Sequence, residues 1–282
     1  MADNSDQIAE WNGALGERWA ELQHDLDQMI GPFGEAALRA AKLKPGDQAI
    51  DIGCGCGDTS FAIARAVGAK GSVHGLDISR PMLEVAERRK KAERLGNVSF
   101  SEGDAALAVL PKEQDILFSR FGVMFFHAPV LAFAHLRGAL KRGGRMAFCC
   151  WRHPRDNPWA MVPLGAARNA LKLNPPPTDP HAPGPFAFAD ADRLRGILND
   201  AGFRAVSITP FDAPVVLGAT PRLAAENAVR FVGPVSRLVR EQSEEGASAA
   251  LAGIEAAFAP VAGADGGVSL DGGVWVVVAS TP

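Results

Sequence analysis

Apolar residues recur at three- and four-residue steps between Ile8 and Lys42, through Trp11, Leu15, Trp19, Leu22, Leu26, Met29 and Ile30, which is the period of an amphipathic helix. Gly31-Pro32 interrupts the run and predicts two helices in place of one. After the turn Lys44-Pro45-Gly46-Asp47, short apolar runs alternate with helical stretches. Strands are predicted at 48–52, 72–77, 97–102, 114–119 and 144–150, and helices at 58–68, 80–95 and 129–141. Lys141-Arg142-Gly143-Gly144 would close the last helix, with cations in its final turn and glycine beyond it. This rhythm implies an α/β sheet.

Beyond Trp151 the alternation stops. Prolines crowd residues 152–189, at Pro154, Pro158, Pro163, Pro175-Pro176-Pro177, Pro180, Pro183 and Pro185, and predict a long functional loop. Asp190 to Gly202 reads as a capped helix, followed by a strand at about 203–209. Residues 219–261 are alanine-rich and helical in pattern, with a polar break at 241–246, and Val274-Trp275-Val276-Val277-Val278 reads as a closing buried strand. The organisation expected is an N-terminal helical segment (1–44), an α/β core (45–151), a proline-rich substrate loop (152–189), and a completion of the sheet (190–282) carrying a helical insert at 219–261.

Composition is that of an ordinary globular chain, 47% hydrophobic and 22% charged, and the net charge of −3 offers no basic field for nucleic acid. No apolar run reaches the roughly 18 residues that span a bilayer, so membrane insertion is not expected. The polar, acidic start Met1-Ala-Asp-Asn-Ser-Asp-Gln lacks the features of a signal peptide, and a cytoplasmic location is expected. Cys54-x-Cys56 and Cys149-Cys150 have neither zinc-knuckle nor redox spacing and read as reduced packing residues. There is no tyrosine to serve as acid or base. Nothing in the pattern speaks to oligomeric state.

The candidate chemistry lies at the carboxyl ends of the predicted strands, where open α/β sheets bind ligands. The first strand runs through Asp51 into Gly53, Gly55 and Gly57 and then into a helix, whose free N–H groups favour a polar or anionic ligand. A tight turn without a ligand is the plain alternative. The second strand ends on Asp77, a carboxylate that can accept both hydroxyls of a ribose, or merely cap the helix near Ser79-Arg80-Pro81. The third ends beside Asp104, placed to accept an adenine amino group, or to sit in a solvated turn.

A nicotinamide enzyme uses the same geometry, but its G-x-G-x-x-G register would need glycine where this chain has Ser60. The pattern Asp51-x-Gly53-x-Gly55-x-Gly57 instead resembles motif I of the class I S-adenosylmethionine-dependent methyltransferases. The resemblance continues through Gly75-Leu76-Asp77-Ile78-Ser79, Pro81-Met82-Leu83, Gly103-Asp104-Ala105 and Leu140-Lys141-Arg142-Gly143-Gly144-Arg145, over about residues 44–150. Trp11-Asn12-Gly13, Glu17-Arg18-Trp19 and Ser119-Arg120-Phe121-Gly122-Val123-Met124-Phe125-Phe126 look more loosely like the small-molecule branch related to the ubiquinone and menaquinone methyltransferases.

The resemblance implies a Rossmann-like fold with a seven-stranded, mostly parallel sheet, helices on both faces, N-terminal helices and a cap of helix and loop over the substrate pocket. It also implies S-adenosyl-L-methionine as cofactor. Gly53, Gly55 and Gly57 would pass under the methionine moiety, with Asp51 ordering the loop. Asp77 would hold the ribose, Met82 would pack on the adenine, and Asp104 with the Ala105 amide would meet its edge. Ile78 and Trp19 complete the candidate cofactor residues, and Ser119 and Arg120 would face the amino-acid end and the incoming substrate. The fourth strand lacks the Asn/Asp-Pro-Pro-aromatic motif of base and glutamine methylators, and no carboxylate follows it, so no metal is expected.

Methyl transfer from a sulfonium is an in-line displacement that needs alignment and a water-poor cavity, and a base only where the acceptor must lose a proton. His127 and His153 are the candidate bases, with His181 behind them. Trp11, Trp19, Phe125, Phe126, Trp151, Trp159, Phe186 and Phe188 suggest a small, fairly apolar acceptor that is aromatic, lipid-like or quinone-like. The competing readings are a catalytically silent module of the same fold and, further off, an NAD-dependent oxidoreductase.

Overall fold

The computed structural model describes residues 4–176 and 179–282. Met1 to Asp3 of the polar N-terminus, and Pro177 of the proline run, lie outside the described residues. The chain divides into two compact units, one comprising residues 1–151, 180–211 and 274–282 and the other residues 152–179 and 212–273.

Seven strands form one sheet: Gln48–Ile52 (β1), Ser72–Asp77 (β2), Val98–Glu102 (β3), Gln114–Arg120 (β4), Leu140–Trp151 (β5), Arg204–Gly218 (β6) and Val268–Ser280 (β7). Their order is β3-β2-β1-β4-β5-β7-β6. β1 pairs in parallel with β2 and β4, β2 with β3 and β4 with β5, whereas β7 runs antiparallel to β5. The order reverses at β1, which leaves a crevice beyond its carboxyl end. β1 and β4 are buried on both faces, which explains their unbroken apolar character, for Ile50, Ile52, Ile116, Leu117 and Phe118 are all excluded from solvent.

The first unit opens with Ser5–Asn12 (α1), Ala14–Glu21 (α2) and Gln23–Ala41 (α3). The predicted break at Gly31-Pro32 does not occur: α3 runs through Pro32, and the breaks fall at Gly13 and Leu22. Proline in a helix interior forfeits one backbone bond, at a cost of about 3 kcal/mol. Burial of Leu26, Ile30, Phe33, Ala36 and Ala37 along one side of α3 outweighs it. Asp58–Val67 (α4), Arg80–Glu93 (α5), Pro129–Arg137 (α6) and, after the second unit's helix Pro158–Ala170 (α7), Ala191–Asp200 (α8) complete this layer. Asp190 caps α8, its carboxylate accepting from the Asp192 and Arg193 amides at 2.9 and 3.0 Å, as its position at the helix start suggested.

The helix predicted at 129–141 ends at Arg137, and Lys141 to Gly144 lie within β5. Gln114 of β4 pairs with Leu140 but Ile116 pairs with Arg145, so the intervening residues form a bulge, with Gly143 at φ +71°. Lys141 there pairs with Asp115. Cations and glycine that read as a helix end serve a strand irregularity instead.

The second unit is mainly helical. The proline-rich segment expected as loop carries α7, because Pro158 sits in the first turn, where no N–H is needed, and Trp159, Ala160, Pro163, Leu164 and Ala167 make one buried face. The insert 219–261 is helical as predicted, with Pro221–Phe231 (α9), Gly233–Arg240 (α10) and Glu244–Phe258 (α11). Its polar break holds Ser243, whose hydroxyl accepts from the Gly246 amide and starts α11. α11 approaches α7 closely at Gly253, where a Cβ would lie 2.8 Å from that of Ala170. No described helix is long and apolar enough to cross a membrane.

Candidate active site

The crevice beyond β1 is built by two loops that touch. Gly53, at φ +66°, begins the loop from β1 to α4, and Gly122 follows β4. A Cβ on Gly53 would lie 2.7 Å from the Gly122 Cα, backbone against backbone, so neither position has room for a side chain. The Ser119 hydroxyl locks the crossing by donating to the Ile52 carbonyl at 2.8 Å and accepting from the Gly122 amide at 3.1 Å. Gly57, also left-handed, directs the chain into α4.

Asp51 lies fully buried under this turn. Its Oδ2 accepts from the Ser60 and Thr59 hydroxyls at 2.6 and 2.7 Å, while its Oδ1 has no hydrogen-bond partner. Burial pushes its pKa up to about 6, and the two hydroxyls and the Arg120 charge offset this only in part. Ser60, the residue that disfavoured a dinucleotide register, is thus a ligand of the Asp51 carboxylate. An orphan carboxylate oxygen beneath a glycine cradle suits a cationic ligand group. The residues present therefore fit a cofactor that carries an ammonium and a sulfonium.

Asp77 ends β2, with Oδ2 accepting from the Gly55 amide at 2.7 Å and Oδ1 from the Ser79 amide at 2.8 Å. It supports the glycine loop and braces the turn that leads to Ser79 at the start of α5, but it does not cap that helix, which has no side-chain cap bond. Burial raises its pKa against the pull of these bonds, making it a weaker acid than a free carboxyl. Asp104 accepts from the Ala106 amide at 2.9 Å and from the Asn4 side chain at 3.0 Å, next to buried Ala105. Met82 packs with Cys56 and Val85, and Trp11 and Trp19 lie against this cluster. The two indoles meet edge to face, 5.4 Å apart. Ile78 offers its carbonyl to the Asn12 amide at 2.7 Å, and Asn12 also accepts from the Arg80 amide at 2.9 Å. The first unit thus gathers Trp19, Asp51, the three glycines, Asp77, Ile78, Met82, Asp104, Ala105 and Ser119 at one end of its sheet.

Arg120, expected to face the incoming substrate, has its guanidinium committed to Asp58 at 2.9 Å and Asp27 at 2.8 Å. His127 stands exposed just after the turn Val123–Phe125 that follows β4. His153 belongs to the second unit, where its Nδ1 accepts from the Arg155 amide at 3.2 Å and starts the short turn Pro154–Asp156. His181 is exposed.

Four contributions escaped the sequence reading: Gly122, Asn12, the partners of Arg120, and Asn157. The last is wholly buried in the second unit, bonding the Gly273 carbonyl and amide at 3.1 and 3.0 Å and the Trp159 indole at 3.1 Å. Each meets residues far away in the chain, which local pattern does not reveal.

Beyond β4 and β5, Phe121 stacks on Trp151 with ring centres 4.3 Å apart and planes 11° from parallel. Phe33 packs edge-on to Phe121, Trp151 and Phe211. Phe121 holds φ +64°, a strained setting for a bulky residue, and its amide bonds the Cys149 carbonyl at 3.1 Å.

Residues 43–175 match the family described as a methyltransferase domain. The chain is 30% identical over 190 residues to the demethylmenaquinone methyltransferase of Staphylococcus carnosus, covering 63% of this chain and 76% of that one. It is 34% identical over 122 residues to the aklanonic acid methyltransferase of a Streptomyces species, covering 43% of this chain and 56% of that one. A phosphoethanolamine N-methyltransferase of Haemonchus contortus, solved with S-adenosylhomocysteine, shares the fold with a TM-score of 0.58 at 17% identity, over 100% of this chain and 61% of the other. With the sheet order and the glycine loop, these likenesses show that the chain belongs to the class I S-adenosylmethionine-dependent methyltransferases, in the small-molecule branch related to the demethylmenaquinone enzymes, and that S-adenosylmethionine is its cofactor.

Proposed function

We propose that the protein methylates a small, apolar, ring-bearing acceptor, with quinone-like and other aromatic compounds as the favoured class. The observation that carries this reading is the cluster of Phe33, Phe121, Trp151 and Phe211 at the ends of β4 and β5, packed ring on ring with half-buried Phe211 at its edge and with a strained backbone at Phe121. The commitment of Arg120 to two carboxylates removes the cation that an acidic acceptor would need there. Relatives named for demethylmenaquinone and aklanonic acid support the same class.

When bound, S-adenosylmethionine supplies a methyl group already activated on a sulfonium, so the work of the protein is alignment and exclusion of water. The glycine loop and Asp51 would hold the methionine end. Asp77 has lone pairs left beyond its two amide bonds for the ribose hydroxyls. Met82, Ile78, Asp104 and Ala105 would surround the adenine, with Trp19 packed behind Met82. Where the acceptor is a phenol or hydroxyquinone, exposed His127 is the base to take its proton. His153, already engaged in capping its own turn, is the weaker candidate.

Incubation with S-adenosylmethionine and a panel of hydroxyquinones, phenols, small amines and carboxylic acids, read by mass spectrometry, tests the proposal. Methylated ring hydroxyl compounds are the expected products. Turnover confined to small charged amines or acids would contradict the assigned class, and cofactor binding without any product would favour a silent module.

A further inference from the structure

Arg120 does not stand alone. Its Nη2 lies 2.8 Å from Asp27 Oδ1 and its Nη1 2.9 Å from Asp58 Oδ2, while Arg89 Nη1 lies 3.0 Å from Asp27 Oδ2 and Arg89 Nη2 3.5 Å from Asp58 Oδ1. Each carboxylate bridges both guanidinium groups. The result is a closed ring of two positive and two negative charges drawn from α3, α4, α5 and the end of β4. Arg120 and Asp27 are only 11% and 15% exposed and Arg89 23%, so water screens this side of the ring weakly, whereas Asp58, at 37%, faces solvent.

The ring is attached to the cofactor loop on several sides. Asp58 is the first residue of α4, immediately after Gly57, and Arg89 Nη1 also donates to the Cys56 carbonyl at 2.9 Å. Arg120 follows Ser119, which fastens the two glycine loops together. The Arg120 charge is felt at Asp51, and those of Asp27, Arg89 and Arg120 at Cys56. Buried ion pairs add little net stability relative to apolar packing, so stability alone does not account for four charges at this place.

A positive ligand gives them a purpose. S-adenosylmethionine carries a sulfonium and the product S-adenosylhomocysteine a neutral thioether, while the two share every other recognition group. Two uncompensated arginines beside the glycine loop would repel the substrate form of the cofactor and not the product form.

We propose that Asp27 and Asp58 are specificity-determining residues that neutralise Arg89 and Arg120, so that the glycine loop does not disfavour the cationic methyl donor against its neutral product. This rests on placing the cofactor at the glycine loop. It assigns the ring the role of keeping the loop's surroundings neutral for a charged cofactor, and Asp27, from the N-terminal helices, lies far from the loop in sequence.

Calorimetric titration of the intact protein with S-adenosylmethionine and with S-adenosylhomocysteine gives the ratio of their affinities. Asp27→Asn leaves one excess positive charge and should shift that ratio at least about threefold towards S-adenosylhomocysteine. Asp27→Asn combined with Arg89→Gln restores neutrality and should return the ratio towards the wild-type value. Arg89→Gln alone leaves an excess negative charge and should shift the ratio the opposite way, which keeps the test decisive if Asp27→Asn does not fold. Equal weakening of both ligands, or no reversal of sign between the single variants, would overturn the proposal and leave the ring a structural fastening. Failure of both ligands to bind the wild-type protein would instead refute the placement of the cofactor on this loop, and the proposal with it.

Discussion

Asp51 carries the sharpest consequences at the scale of single residues. Its pKa is pushed up to about 6 from an ordinary 3.8, chiefly by burial. The folded protein therefore holds a proton that the unfolded chain releases, and the resulting stabilisation is complete below 3.8 and lost as pH rises through about 6. A cation brought to the orphan Oδ1 would recover what ionisation removes. The rise in melting temperature on adding S-adenosylmethionine should accordingly grow between about pH 5 and about pH 7.5 and become nearly flat in Asp51→Asn; a wild-type gain independent of pH would count against this role. Gly53 offers a contrast with Gly46. Both have positive φ, but a Cβ at Gly46 meets nothing within 4 Å, whereas at Gly53 it meets the backbone of Gly122. Gly53→Ala should lower unfolding stability by roughly 2–3 kcal/mol and remove cofactor binding, against about 1 kcal/mol and intact binding for Gly46→Ala. Denaturant melts with calorimetry check both, and equal costs would dismiss the close approach as the cause. Asp51, the glycines, Asp77 and Asp104 were visible in the sequence because each sits at a strand end, and strand ends follow from local pattern. Asn12 and Asp27 were not, since their partners lie 66 and 93 residues away.

Elements were legible where one local signal dominated. β1, β2 and β4 are short apolar runs with turn residues beside them, and they form where predicted. The misreadings share a physical origin, namely tertiary burial overriding a local breaker. Pro32 should end a helix, and Pro158 and Pro163 should mark a loop, yet α3 and α7 continue because each buries an apolar face. Lys141 to Gly144 have the chemistry of a helix end and serve a bulge whose partners, Asp115 and Thr281, are distant. The importance of the α3 face can be measured. Phe33 is fully buried and touches three other rings, so Phe33→Ala should cost about 3–5 kcal/mol in chemical denaturation. A loss below about 1 kcal/mol would mean that α3 is held by its charged side, through Asp27, and that the aromatic wall is not a rigid surface.

For the molecule as a whole, the strand order β3-β2-β1-β4-β5-β7-β6 turns back between β1 and β4, which opens the crevice beyond their carboxyl ends, while the antiparallel β7 between β5 and β6 is not dictated by the alternation of strands and helices. The glycines and carboxylates gathered at the crevice belong entirely to the first unit. The second unit, where sequence signals were weakest, is made of alanine-rich helices whose packing depends on small residues such as Gly253 and Ala170. The central claim is that S-adenosylmethionine binds on the glycine loop with Asp77 at its ribose. Isothermal titration of the cofactor into the wild-type protein and into Asp77→Ala tests it most directly. Saturable one-site binding to the wild-type protein, weakened at least about tenfold in the variant, is the expected result, and undiminished binding to Asp77→Ala would contradict it.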